Sequence, residues 1–234
     1  MAFTGFPRET LVFFQGINAN NTKDWFTANR PLYDATVEAS KAFVDTVGPQ
    51  LRTIAPEIRF EPKVGGSLQR PNRDTRFDTG KPPYKEQLDL WFWHGDKRGW
   101  DQPGFFLRIA PDTLWIAAGM MHILWPQLKD FRVAVIDERA GAALVATVDS
   151  INAVGPYQVG YPKRKSVPKG FDAAHPRAEY LKYESLWGHL QLPASAALEP
   201  DFADVALAAW RDLAPLTVWL RDEVTAKSVN SIGP

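Results

Sequence analysis

Two hydrophobic periods divide this chain and limit what it can fold into. Across residues 22–55, Tyr33, Val37, Val44, Val47, Leu51 and Ile54 recur at three- and four-residue intervals, the spacing of one helix face. Across residues 67–121 the apolar side chains gather instead in short blocks at 67–70, 87–94, 104–110 and 113–121, bounded by Gly, Pro and Asp, as strands are. A helix-period pattern does not settle as a strand, so the chain needs both element types.

Finer signals fill in the rest. Residues 7–15 read as a short helix closed by Gly16, and Asn21 with Asp24 reads as a helix start. Pro31 and Pro49 each remove a backbone donor, so the helical region is expected to be bent and built of several parts. The stretch LDLWFWHG alternates Leu88, Leu90 and Phe92 with Asp89, Trp91 and Trp93, which suits a strand covered on both faces. Ala110-Pro-Asp-Thr113 is a turn too short for a parallel crossover, so 104–121 is expected to be an antiparallel hairpin. Helices follow at 125–137 and 138–151. Residues 155–178 are turn-rich and read as a long arm, and 180–192 begins helical and ends as a strand. From residue 200, Phe202, Val205, Ala209, Leu213, Leu216, Leu220 and Val224 trace a last helical stripe with Pro215 inside it. No repeat or linker interrupts the sequence. The expectation is one α+β domain over 1–234, a mainly antiparallel sheet packed with helices. Its parts are a helical start (7–55), a sheet (60–121), helices and a basic arm (123–182) and a C-terminal helix (200–226).

Composition excludes several functions. Lys plus Arg and Asp plus Glu both number 27 in the 234 residues, so no global field draws the chain to nucleic acid or membrane, and attraction must come from local clusters. There is no cysteine, which rules out disulfides, thiolate nucleophiles and cysteine metal sites. The opening MAFTGFPRETLVFFQG lacks the pattern of a signal peptide. No apolar run approaches the roughly 20 residues of a membrane span, so a soluble, cytoplasmic protein is expected.

One cluster stands out. Between Arg70 and Lys85 lie Arg70, Arg73, Arg76, Lys81 and Lys85 with Asp74 and Asp78, around Phe77 and the turn Pro82-Pro83-Tyr84. Five cations less two carboxylates leave a local formal charge of +3. Arginine offers a planar fork for carboxylate or phosphate and lysine a mobile point charge, so the segment is a candidate anion site in which Tyr84 orients the ligand. The competing reading is a structural loop whose arginines pair with the chain's own carboxylates. A second basic stretch, Lys163-Arg164-Lys165 with Lys169, lies in the arm and reads first as a solvated loop; in the anion-site reading Lys169 is a ligand-binding candidate that closes from the arm together with His175. His175, near Asp172, is the candidate general base if there is catalysis. His94, His122, His175 and His189 form no HxH or HExxH pattern, and Asp74 with Asp78 lacks a third acid, so no metal site is expected and no cofactor is implied. Phosphate loops, GxSxG and kinase signatures are absent.

Four blocks together resemble a known family. They are Asn20-Asn21, Trp25-Phe26, Asn29-Arg30 and Tyr33; Arg73-Asp74-Thr75-Arg76-Phe77 with Lys81-Pro82-Pro83-Tyr84-Lys85; Ala118-Gly119-Met120 with Leu128 and Arg132; and Pro168-Lys169-Gly170-Phe171-Asp172 with His175-Pro176 and Leu181-Lys182. Over residues 10–225 the chain resembles the conserved hypothetical family called domain of unknown function 2461. The resemblance implies no activity and supplies no catalytic residues. On the residues themselves, the expected function is binding of a small anionic, phosphate- or carboxylate-bearing ligand, with catalysis left open. The alternatives are a non-enzymatic protein-interaction module and, disfavoured by the zero net charge, nucleic-acid binding.

Overall fold

A computed structural model describes residues 3–74, 80–96, 98–125 and 127–226. The architecture is α+β, with helices and a five-stranded antiparallel sheet. The strands are β1 (Leu88–Trp93), β2 (Gly104–Ile109), β3 (Thr113–Met120), β4 (Gln158–Val159) and β5 (Leu186–Pro193), in the spatial order β1-β2-β3-β5-β4. The fold gathers into two compact units that interleave along the sequence. The first draws on residues 1–92, 106–116 and 191–208, the second on 93–105, 117–190 and 209–234.

In the first unit, α1 (Arg8–Ala19), α2 (Lys23–Ala28) and α3 (Arg30–Ile54) realise the helical period. The expected end of the first helix is corrected. The helix continues through Gly16, because there the Trp25 ring lies where a Cβ would sit. Glycine serves as a seat for an indole rather than as a stop. The cap of α2 is Thr22, whose Oγ1 accepts from Trp25 N at 3.2 Å; Asn21 is engaged elsewhere. Pro31 enters the first turn of α3, where its missing N–H costs nothing, and Pro49 lies within α3 beside Gly48, whose bare Cα accommodates the Phe60 ring. Two aromatic clusters fill this unit. Phe43 stacks on Phe202 (5.6 Å) and meets Phe3 edge-on (5.0 Å), while Phe26 meets Phe13 edge-on (5.6 Å) and lies 5.1 Å from Tyr33.

The strand reading holds with one amendment. All six residues of β1 are buried, as its alternation of large side chains on both faces requires. Ala110 N donates to Thr113 O (2.8 Å) and closes the β2–β3 hairpin. Residues 67–70 do not form a strand. Leu68 makes isolated bridges to Leu90 and Val64, and Gln69 N donates to Asp89 O (3.0 Å), without extending into a regular strand. The buried Asp89 carboxylate accepts from Arg108 Nε (2.7 Å), so the charge inside β1 is matched from β2.

In the second unit, α4 (Gln127–Ile136), α5 (Glu138–Val154) and the later part of α6 (Phe202–Leu220) supply the helices. Asp137 caps α5, its carboxylate accepting from Arg139 N (3.0 Å) and Ala140 N (2.7 Å). Trp210 and Trp219 bury their rings and still donate, to Ala117 O (3.0 Å) and Ala140 O (2.8 Å). Arg177 closes the C-terminal end of α4 by donating from Nε to Val135 O (2.6 Å) and from Nη2 to Ile136 O and Asp137 O. The arm 155–178 is mostly irregular, with β4 pairing antiparallel to β5; a 3-10 turn (Tyr180–Lys182) precedes β5. Among the described residues no helix is long and apolar enough to cross a membrane.

Candidate functional site

The cationic segment begins as a short antiparallel ladder. Asn72 bridges Tyr84, Arg73 N donates to Pro83 O (2.8 Å) and Lys85 N donates to Pro71 O (2.7 Å). Pro71 and Pro83 hold their own φ and lend only carbonyls, so the ladder uses the groups they retain. Asn21 clamps it: Oδ1 accepts from Tyr84 N (3.0 Å), and Nδ2 donates to Tyr84 O (3.0 Å) and to Glu86 Oε1 (3.3 Å). Arg73 completes the frame, its Nε donating to Tyr84 O (2.7 Å) and its Nη2 lying 3.5 Å from Glu86 Oε1. Tyr84 is buried and stacks on Phe26 with ring centroids 4.4 Å apart, so its ring anchors the ladder to the aromatic core.

The other candidates divide as follows. Arg70 is exposed and makes no hydrogen bond or ion pair among the described residues. Asp74 and Lys81 are exposed and Lys85 is half-buried. Arg76, Phe77 and Asp78 lie outside the described residues. Lys169 is exposed on the arm, in the second unit. His175 is half-buried there, and its Nδ1 accepts from Arg177 N at 3.1 Å, which ties the imidazole to the arm's own turn. The structure therefore brings Arg73, Tyr84 and Glu86 together around Asn21.

A second constellation lies wholly in the second unit; the sequence names its cations, Arg132 within the resemblance and Lys163 and Arg164 as a basic stretch, without joining them. Arg132 on α4 is 9% exposed, and its Nε and Nη2 are shut from solvent with no acceptor among the described residues. α4 packs on the 3-10 turn at Tyr180–Lys182, and Lys163 N and Arg164 N both donate to Lys182 O (3.2 and 3.1 Å). The Lys163 and Arg164 side chains hold Glu184, Nζ at 3.1 Å from Oε2 and Nη1 at 3.3 Å from Oε1. Burial, and then the charge of Arg164, pull the Arg132 pKa below its usual value, against the opposing pull of Glu184. The hydrogen bond from Lys163 is the chief cause that lowers the Glu184 pKa. The sequence signal was present: in the stripe Leu128, Arg132, Val135, an arginine occupies a core-facing position of an amphipathic helix.

A third cluster is aromatic. Tyr161 stacks on Trp187 (4.6 Å), and its hydroxyl lies 2.8 Å from Nδ1 of the buried His189. Among the described residues no group of three or more His, Asp or Glu side chains is placed to hold a metal ion.

The described residues thus hold a clamped ladder that frames Arg73 and, in the second unit, an arginine sunk in the face of α4. The chain belongs to the conserved hypothetical family domain of unknown function 2461, which matches residues 9–219. No curated protein matches the chain.

Proposed function

We propose that this protein binds a small anionic ligand, phosphate- or carboxylate-bearing, at the cationic segment 70–85. The observation that supports the reading is the contrast between two arginines on one ladder. Arg73 is engaged by Tyr84 O and Glu86 and stiffens the frame, whereas Arg70, three residues away, is exposed and engages no partner among the described residues. A wholly self-satisfied network would engage both. The Asn21 clamp and the stacked Tyr84 hold the ladder before any ligand arrives, which lowers the ordering cost of binding. Arg70 supplies the fork, and Lys81 and Lys85 add charge.

The test is thermal unfolding of the full chain with a panel of nucleotides and phosphorylated or carboxylated small molecules. The wild type is stabilised by at least one of them, and Arg70→Gln with Lys81→Gln loses that gain while the unliganded melting temperature stays put, since both side chains are exposed. A wild type that no member of the panel stabilises contradicts the proposal.

A second reading, a protein-interaction module, is favoured by the adjacent Leu124 and Trp125, 54% and 70% exposed. Trp125→Ser then abolishes capture of a partner protein and leaves anion binding intact.

A further inference from the structure

We propose that Arg132, with Arg164 and Lys163, forms a separate binding site in the second unit for a dianionic phosphate group, free or carried on a small molecule. The site shares no residue with the segment 70–85.

The argument begins with cost. A guanidinium taken out of water without hydrogen-bond partners destabilises a fold by several kcal/mol, roughly, unless an opposite charge compensates. Arg132 is nine-tenths buried, and no carboxylate among the described residues lies within ion-pair distance of it. The carboxylate whose charge acts on it, Glu184, is already held by Lys163 and Arg164. The charge of Arg164 adds repulsion, and burial, then that repulsion, lower the Arg132 pKa. A residue chosen only for packing at this position would be leucine or methionine. The charge is costly as it stands and becomes favourable when an anion arrives.

Geometry narrows the ligand. The two unpartnered nitrogens, Nε and Nη2, form one edge of the guanidinium, the edge that takes two oxygens of a carboxylate or phosphate side-on. Charge then separates those two classes. Three cations (Arg132, Lys163, Arg164) less one carboxylate (Glu184) leave a formal +2, which a phosphate dianion neutralises and a monocarboxylate does not. Glu184 is a built-in stand-in: a carboxylate of the chain that already draws Lys163 and Arg164 to this place. Arg132 keeps 9% exposure while Nε and Nη2 are shut from solvent, so a solute meets that edge when the side chain swings outward.

The test is calorimetric titration of the full chain with inorganic phosphate, phenyl phosphate and acetate. It uses wild type, Arg132→Met, Arg164→Gln and the Arg70→Gln, Lys81→Gln pair. Wild type binds phosphate, free or as the phenyl ester, about tenfold or more tightly than acetate, and Arg132→Met weakens phosphate by about tenfold or more. Arg132→Met unfolds at the same urea concentration as wild type or higher, because it removes a buried unpaired charge. The Arg70, Lys81 pair keeps the Arg132-dependent binding, which separates this site from the one proposed above. Should Arg132→Met fail to fold, Arg164→Gln, altered at an exposed cation, carries the test through a several-fold loss of affinity. Phosphate binding unchanged in Arg132→Met or Arg164→Gln overturns the inference. So does acetate binding as tight as phosphate, and so does a wild type that binds neither, which would leave Arg132 a buried structural group.

Discussion

Asn21 and Tyr84, 63 residues apart in sequence, exchange two hydrogen bonds of 3.0 Å, the side-chain amide pairing with both backbone groups of the tyrosine. A single side chain thus ties the loop before α2 to the ladder that carries Arg73, and does so where Tyr84 is too buried for water to replace it.

Asn21→Ala is therefore expected to lower stability by about 1–3 kcal/mol, the cost of leaving the N–H of a buried residue unsatisfied and its C=O with Arg73 Nε alone. Urea unfolding measures it. A midpoint equal to that of the wild type would show that the ladder stands without its clamp.

Gly119 makes the second prediction. Its φ is +133°, and a Cβ there would run into Leu186 O and the Trp187 backbone, where β3 passes β5. Both strain and collision oppose any side chain, so Gly119→Ala is expected to cost more than about 1 kcal/mol. The same urea series shows it as a lower midpoint with an unchanged slope, and an unshifted midpoint would contradict the close approach.

The third prediction concerns pH. Burial pulls the pKa of His189 below its ordinary value, so the fold prefers the neutral imidazole that meets the Tyr161 hydroxyl. A histidine with a depressed folded pKa contributes stability above its unfolded pKa of about 6.5 and loses it as pH falls through the folded value. The urea midpoint of the wild type is expected to fall from pH 7 to pH 5, and His189→Gln to flatten that fall. A wild-type midpoint that is level over this range contradicts the assignment.

The legible parts of the fold were those fixed by local chemistry. The period of α3, the Pro-Asp turn between β2 and β3 and the doubly covered β1 could each be read from neighbouring residues. The misread parts depend on partners distant in sequence. Gly16 resembles a helix stop until Trp25 is seen to occupy its face, and Asn21 resembles a cap until Tyr84 takes its amide. Residues 67–70 carry strand composition, yet they form only isolated bridges through Leu68. The candidate site was legible as composition, because cations crowd 70–85. Which of them face inward was not, because Arg70 and Arg73 are the same residue type three positions apart, and only the fold supplies Tyr84 O and Glu86 to one of them. Arg132 was hidden for the opposite reason: a lone arginine in an apolar stripe passes for the edge of a helix face until its donors are found buried.

The most direct measurement is a phosphate titration of the full chain followed through the arginine Nε–Hε signals by NMR. The account predicts saturable shifts of Arg132 and Arg70 and little movement of Arg73, whose Nε already donates to Tyr84 O at 2.7 Å. If no arginine signal moves, or if all drift together without saturating, the protein is not an anion-binding protein of the kind proposed.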